Sequence, residues 1–332
     1  MLKKLCCLAI CLCCFLPIPI YAQDELYLGG DNIGIEVDYD GVFVSGTYPF
    51  SVEGKKYVPL EVQAKDIIKE VDGVAIHSLN ELSTKLSSYQ EKVNHIPILI
   101  ERLSQSVNVS LTTVFDSSMN AFKSGLYVKD KIVGVGTLTY FDPSNQTYGA
   151  LGHEIMDSDV KEIADIHLGH IYPAFVNSIQ KAQQNIPGEK QATIFYQQRF
   201  ANVKKNSNIG IYGQYDRDIR NMISYPWATR QQVQLGEATM YTVINGQEIK
   251  PYQIQITKLN KQDTKSIKGI EFSVKDPQLL SLTNGIIQGM SGSPIVQNGR
   301  IIGAVTHVVT ANPINGYGVY IEFMLEESRN LS

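Results

Sequence analysis

The stretch from Gln288 to Val305, QGMSGSPIVQNGRIIGAV, constrains the fold of this chain more than any other. Asn298-Gly299 separates two apolar runs, and both residue types accept the positive φ angles of a type I′ turn, so a β-hairpin is predicted here. The glycines that precede the hairpin let the backbone turn sharply and expose Ser291. A serine hydroxyl on a loop fixed to a rigid hairpin is a candidate nucleophile.

Two interpretations of this loop are open. Glycine, serine and proline between apolar runs also mark ordinary turns in all-β proteins. In the catalytic interpretation, Ser291 is the nucleophile and the amides of Gly289 and Ser291 form an oxyanion hole. Ser293 is the weaker candidate because it lacks the preceding Gly-x spacing. The order G-x-S-G-[GS]-P before a hairpin resembles the nucleophile region of chymotrypsin-like serine peptidases, which favours catalysis.

A histidine is the second chemical landmark. His153 follows a run of small residues in YGALGHEIMD, and this position resembles that of the catalytic histidine in chymotrypsin-like peptidases. Together with Ser291 it is a candidate general base, because imidazole titrates near neutral pH. His307 is a rival base, for which a supporting or substrate-facing role is predicted. His167 and His170 lack the spacing of a zinc peptidase, so neither a metal nor another cofactor is predicted.

A third member of such a site would be a carboxylate that orients the histidine. Asp157 and Asp159 lie so close to His153 in sequence that the local chain is expected to aim them elsewhere. Asp276 lies where a predicted strand ends and the chain turns, which suits a fixed side chain. The residues alone leave the choice open among seven aspartates: Asp157, Asp159, Asp165, Asp216, Asp218, Asp263 and Asp276.

The N-terminus has the layout of a secretory signal peptide over residues 1–22, with two lysines, an apolar run and a small residue before a polar stretch. An uncleaved membrane anchor is the alternative. All five cysteines fall in this segment, so an exported mature chain without disulfides is predicted, which suits a bacterial envelope. The net charge of −4 argues against nucleic acid as the partner.

Residues 26–114 are predicted to form a small α/β unit. A helix is expected from about Ser78 to Ser88, where leucines recur at spacings of three and four. The segment Asp66 to Gly73, DIIKEVDG, followed by this helix, resembles a PDZ domain. That resemblance implies a groove that binds peptide C-termini through four residues at its carboxylate-binding loop: Asn32, Ile33, Gly34 and Ile35.

From residue 115 onward, many short β-branched and aromatic runs lie between glycine turns. This alternation of short strand-like runs and turns is typical of a β-barrel or sandwich. Asn245-Gly246 predicts another hairpin, and Phe175 to Ile179 has a short helical pattern.

The motifs GTLT from Gly136, YGALGH ending at His153, Asp276-Pro277, and QGMSGSP with GAVTHV after it resemble the stage IV sporulation protein B family of serine peptidases. The resemblance implies a chymotrypsin-like double β-barrel with a triad of Ser291, His153 and Asp276, controlled by a PDZ domain. It also implies self-cleavage and cleavage of a membrane-bound regulatory protein in the forespore envelope. Asn284 departs from the family, which usually has a glycine there.

The sequence therefore predicts a mainly β protein with three parts: a signal peptide or anchor at 1–22, a PDZ-like domain at 26–114 and a SpoIVB-type peptidase domain at 115–332. The predicted function is that of an exported serine endopeptidase of sporulation signalling. Two alternatives are a non-catalytic peptide-binding scaffold and an envelope quality-control or signalling peptidase unrelated to sporulation.

Overall fold

The computed structural model describes residues 25–164, 166–260 and 263–331. The predicted signal segment with its cysteines, and the candidate acid Asp165, lie outside the described residues. Among the residues that are described, no helix is long and apolar enough to cross a membrane.

Strands dominate the described chain. In chain order they are β1 Glu25–Leu28, β2 Asn32–Thr47, β3 Phe50–Val52, β4 Lys55–Tyr57, β5 Ile67–Val71, β6 Val74–Ala75, β7 Val93–Arg102, β8 Gln105–Asp116, β9 Ala121–Lys123, β10 Leu126–Asp142, β11 Thr147–Ala150, β12 Met156–Asp157, β13 Glu162–Ile163, β14 Leu168–Gln180, β15 Glu189–Ile194, β16 Ala201–Asn202, β17 Lys205–Ser207, β18 Gly210–Gln214, β19 Ser224–Pro226, β20 Gly236–Val243, β21 Ile249–Leu259, β22 Ile270–Val274, β23 Pro294–Gln297, β24 Arg300–Val308 and β25 Asn315–Tyr320.

The helices within the described residues are few and short. They are α1 Leu79–Ser87, α2 Pro277–Thr283 and α3 Ile321–Arg329, with 3₁₀ turns at Tyr196–Gln198 and Arg230–Gln232. The predicted helix, α1, is confirmed, and Ser78 caps it by accepting a hydrogen bond from the amide of Glu81.

The C-terminal part of the chain closes into a barrel. Its six strands follow the order β20-β21-β22-β25-β24-β23, and each neighbouring pair is antiparallel. The hairpin predicted at Asn298-Gly299 joins β23 to β24, and its two turn residues have φ angles of 51° and 70°, as a type I′ turn requires. The hairpin predicted at Asn245-Gly246 joins β20 to β21. The sequence-based expectation of a mainly β protein with a barrel is thus confirmed.

Fifteen of the remaining strands form a large sheet whose two longest members are β2 and β10, while, within the described residues, β3 pairs only with β4 and β12 only with β13. The first half of β2 pairs with β10 on one side and with β14 on the other. Its second half pairs with β5 and with the start of β10. The segment Phe175 to Ile179 belongs to β14 and pairs with β15, so the helical pattern predicted there is wrong. Pairing with a neighbouring strand overrides such a short local preference.

The hydrophobic cores divide the chain differently from the predicted domains. The cluster around α1 is built from residues between Val42 and Val128. Ile33 and Ile35 instead pack with Leu138 and other residues of the predicted peptidase part, and Leu26 packs into the barrel core. The reason is that β2 and β10 run through both regions, so no boundary near residue 115 separates two independent cores.

Candidate active site

The glycine loop between α2 and β23 presents Ser291. Gly289 and Gly292, on either side of it, have φ angles of 89° and 93°, which favour glycine. A Cβ atom on Gly292 would lie only 1.9 Å from the carbonyl oxygen of Thr137. The loop therefore packs directly against β10, at a distance that only glycine allows.

Two threonines of β10 hold this loop through its carbonyl oxygens. The amide of Thr137 donates to Ser291 O at 2.9 Å, and its hydroxyl donates to Gly289 O at 2.7 Å. The hydroxyl of Thr139 donates to Gly292 O at 2.8 Å. This GTLT run stands out in the sequence only as part of a family resemblance. Its alternating threonines were the available signal, since residues two apart on a strand face the same side.

The amides of Gly289 and Ser291 remain open. In the described ranges no acceptor binds either of them, whereas the neighbouring amides of Met290 and Gly292 donate to Ile287 O and Val305 O. The carbonyls of Gln288 and Met290 are occupied by other backbone donors. In a trans peptide the C=O and N–H groups point in opposite directions. Gln288 O shares a peptide with the Gly289 amide, and Met290 O shares one with the Ser291 amide. Each open amide therefore points away from the donor that occupies the carbonyl of its peptide. Such a pair can bind an oxyanion.

His153 lies beside the serine loop. Gly152 packs against Thr306, whose carbonyl oxygen accepts a hydrogen bond from the Ser291 hydroxyl at 2.8 Å. The rings of His153 and His307 are 4.9 Å apart between centroids. The structure thus brings Ser291, His153 and His307 together, although Ser291 is bonded to the backbone and not to either imidazole.

The hydrogen bond of His153 fixes its tautomer. Nδ1 lies 2.7 Å from the carbonyl oxygen of Glu154. A carbonyl can only accept, so Nδ1 carries the proton in the neutral ring and Nε2 carries the lone pair that a general base needs. Burial lowers the pKa of His153, while the bond to Glu154 acts in the opposite direction. Burial and the nearby His153 lower the pKa of His307 to about 4.

The carboxylate of Asp276 is bonded to backbone amides and not to His153. The carboxylate caps α2, accepting from the amide of Leu279 at 2.9 Å and from the amide of Gln253 at 3.4 Å. Within the part of the chain that the structure describes, no carboxylate is hydrogen-bonded to His153. Its Nδ1 is oriented by a backbone carbonyl instead.

Three other described aspartates between His153 and Ser291 are bonded to other side chains. Asp157 is bonded by Lys129 at 2.7 Å and by the hydroxyl of Tyr39, and these contacts lower its pKa although burial alone would raise it. Asp216 and Asp218 pair with arginines. No group of three or more potential metal ligands occurs in the described ranges.

The residues predicted to bind a peptide terminus lie inside the sheet. Asn32, Ile33, Gly34 and Ile35 begin β2, and the last three have partner strands on both sides, β10 and β14. The face of Gly34 is covered as well, because an added Cβ would lie 2.4 Å from Ile194. The strand edge that an added peptide would need is therefore occupied at this place.

A β-barrel whose glycine loop presents a serine beside a histidine, with two open amides, is the arrangement of a serine peptidase. The family model described as SpoIVB peptidase S55 matches residues 120–325, which is more than half of the chain. The chain belongs to this family and is a serine peptidase.

Solved structures of a Mycobacterium tuberculosis protease, Rv3671c, are similar over part of the chain. Its active form is 13% identical with a TM-score of 0.35, covering 59% of this chain and 74% of that one. Its inactive form is 12% identical with a TM-score of 0.33, covering 58% and 83%. The comparison with curated proteins gave no match.

Proposed function

We propose that the protein is an endopeptidase in which Ser291 is the nucleophile and His153 is the general base. The observation that carries this proposal is the pair of open amides at Gly289 and Ser291, beside a histidine whose Nε2 is free to accept a proton. Two amides without protein acceptors next to a serine hydroxyl are free to donate to a ligand oxygen, as a tetrahedral oxyanion requires.

The reaction follows from this geometry. The Ser291 hydroxyl leaves Thr306 O, transfers its proton to Nε2 of His153, and its oxygen attacks the carbonyl carbon of the substrate. The amides of Gly289 and Ser291 bind the oxyanion that forms. The intermediate collapses as His153 gives the proton to the leaving amine, and water then hydrolyses the acyl-enzyme by the same route.

Substitution of Ser291 tests the proposal. We expect Ser291→Ala to lose cleavage of a peptide substrate and labelling by a fluorophosphonate reagent, both by at least about 10³-fold, because no other group supplies the nucleophile. Ser293→Ala is the matched control, since Ser293 is fully buried and its hydroxyl has no partner in the described chain. Cleavage by Ser291→Ala, or loss of it in Ser293→Ala alone, would reassign the nucleophile.

Asp276 is the third member that the family resemblance implies. Substitution by asparagine separates this role from capping, because asparagine caps a helix nearly as well as aspartate but carries no charge. Loss of kcat in Asp276→Asn with unchanged stability supports a catalytic role, which requires a rearrangement that brings its carboxylate to His153. Full activity in Asp276→Asn would show that Asp276 only caps α2.

The fold of the chain supports two finer assignments. We assign the unit around α1 to a PDZ-like domain, on the helix after the DIIKEVDG segment and on its separate core between Val42 and Val128. We assign the rest to a chymotrypsin-like double barrel, of which β20 to β25 form one half. Asn32 to Ile35 are left out of the ligand-binding role, since Ile33 to Ile35 are paired on both sides and Asn32 is paired with β10.

The biological role rests on the family resemblance. We propose that the protein is exported across the bacterial cytoplasmic membrane, cleaves itself, and cuts a membrane-associated regulatory protein in sporulation signalling. Incubation of purified residues 23–332 beside Ser291→Ala, with mass spectrometry of the fragments, tests self-cleavage. Fragments from the wild type alone support it. N-terminal sequencing of the protein from cells tests whether residues 1–22 are removed.

A further inference from the structure

A lysine lies buried directly behind the serine loop. Lys190, near the start of β15, is 5% exposed. Its Nζ lies 3.0 Å from the hydroxyl of Thr242, 3.4 Å from that of Thr137 and 3.5 Å from Oδ1 of Asn32. These three partners come from β20, β10 and β2, so the ammonium group sits where the barrel meets the large sheet.

None of these partners is charged. In the described ranges Lys190 has no salt bridge, and burial lowers its pKa to about 7. A buried amine without a carboxylate is expensive for the folded state. An apolar side chain of the same length would fill the space at lower cost, so packing alone does not account for a lysine.

Lys190 contacts the oxyanion-hole segment in two ways. Its own amide donates to Gln288 O at 3.0 Å, the bond that turns the Gly289 amide outward. Its methylene stem runs along Gly289, where an added Cβ would lie 3.0 Å from Cδ of the lysine. The side chain thus lies against the residue that supplies one of the two open amides.

The ammonium group also reaches Gly289 through Thr137. Because Gly289 O can only accept, the Thr137 hydroxyl must give its single proton to that carbonyl. The Thr137 oxygen is then left as an acceptor, and Nζ of Lys190 is the donor that faces it. This order fixes the rotation of the hydroxyl and, through it, the plane of the peptide after Gly289.

We propose that Lys190 is a positioning residue for the oxyanion hole, acting through Thr137 on the peptide of Gly289. The proposal rests on the function proposed above for Gly289 and Ser291. Lys190 touches neither the substrate nor Ser291; it holds the peptide that joins Gly289 to Met290, and so the relative orientation of the two open amides on either side of that peptide.

The test compares Lys190→Met, Thr137→Val and the double variant, each active-site titrated so that rates refer to folded enzyme. Methionine keeps the length of the stem, and valine keeps the amide bond from residue 137 to Ser291 O. Lys204→Met is the control, because Lys204 is an exposed lysine bonded to Gln214. The readouts are kcat and KM for a peptide substrate and the rate of fluorophosphonate labelling.

We expect both single variants to lose about 10- to 100-fold in kcat, since an oxyanion donor is worth about 10²- to 10³-fold and is here misplaced rather than removed. KM should stay within about threefold, because the lost interaction belongs to the transition state. The double variant should be no slower than the slower single variant, because both substitutions break the same chain of hydrogen bonds from Lys190 through Thr137 to Gly289.

An unchanged kcat in Lys190→Met would overturn the proposal, as would losses that multiply in the double variant. A merely structural lysine would lower the titratable fraction and leave kcat per titrated site unchanged. If Lys190→Met does not fold, Thr137→Val still decides. Full activity in Thr137→Val would show that the hydrogen bonds from Lys190 through Thr137 to Gly289 do not support catalysis. A wild type without Ser291-dependent cleavage would instead refute the proposed function itself.

Discussion

At the residue scale, the site depends on groups whose charge is controlled by burial. Burial lowers the pKa of His153, of His307 and of Lys190, which favours the neutral form of each. In the described chain, none of the three side chains has a carboxylate in hydrogen-bond contact that would offset this effect. For a serine peptidase this is useful at His153, since a neutral imidazole is the form that accepts the serine proton.

The first prediction at this scale concerns the pH dependence of catalysis. Since burial lowers the pKa of His153 below 6.5, its neutral form persists into mildly acid solution. We expect the acid limb of kcat/KM to lie below pH 6.5, measured from pH 4 to 8. The limb should remain there in His307→Asn, because the pKa of His307 of about 4 makes it a poor base. A limb above pH 6.5 would contradict the assignment of His153.

The second prediction concerns Lys190 and stability. Its folded-state pKa of about 7 lies below the ordinary value of 10.5, so between these values the unfolded chain binds more protons than the folded one. The free energy of unfolding therefore gains up to about 1.4 kcal/mol per pH unit from this residue as pH rises. Below pH 7 the burial cost is present in full.

Urea unfolding of the wild type and Lys190→Met at pH 7, 8, 9 and 10 measures this effect. The wild type should gain stability relative to the variant with each step, whatever their difference at pH 7. A difference that stays constant over this range would show that Lys190 is charged in the folded protein well above neutral pH.

At the scale of single elements, a tight turn and the two ends of a short helix fix the geometry around the site. The two-residue turn at Asn298-Gly299 sets the register of β23 and β24, which carry the loop and Thr306. The helix α2 places its cap Asp276 at one end and Asn284, with a φ of 59°, at the other. The departure at Asn284 from the family's glycine is compatible with this helix end, because asparagine adopts the left-handed conformation more readily than most residues.

The cap gives the prediction at this scale. Asp276→Ala should lower the free energy of unfolding by about 1 kcal/mol, because the amide of Leu279 loses its acceptor. Asp276→Asn should cost less than half of that. Thermal or urea unfolding of the two variants measures the difference, and equal losses in both would show that the charge, and not the cap, supplies the stability.

At the scale of the whole molecule, the N-terminal strands complete the cores of the peptidase part. Leu26 and Leu28 pack into the barrel core, and Ile33, Ile35 and Val37 pack with the strands after residue 130. All five side chains are buried. The cores of the peptidase part therefore include side chains that precede residue 115.

We predict that a protein of residues 115–332 does not fold stably, whereas residues 25–332 do. Each missing side chain contributes about 2 kcal/mol on burial, and together they match the stability of about 5–15 kcal/mol of a typical protein. Removing β2 also opens edges of β10 and β14. Cooperative unfolding with native-like near-UV circular dichroism in the shorter protein would refute this prediction.

The sequence predicted best what depends on local geometry. The turn at Asn298-Gly299, the capped helix α1 and the barrel's strands follow from residue types whose backbone preferences act over a few positions. The family was recognisable because its motifs lie in such short runs. The helical pattern at Phe175 to Ile179 failed because a partner strand outweighed a weak local preference.

By itself, then, the sequence determined a serine peptidase of mainly β structure, with Ser291 on a glycine loop. Only the tertiary structure decided that Ile33 to Ile35 lie in a strand paired on both sides, and that Lys190 and Thr137 lie behind Gly289. The reason is that most of these contacts join distant parts of the chain: Asn32 lies 158 positions from Lys190, and Thr137 lies 152 positions from Gly289. Packing of the whole chain decides which distant segments meet, and a local sequence pattern does not predict that packing.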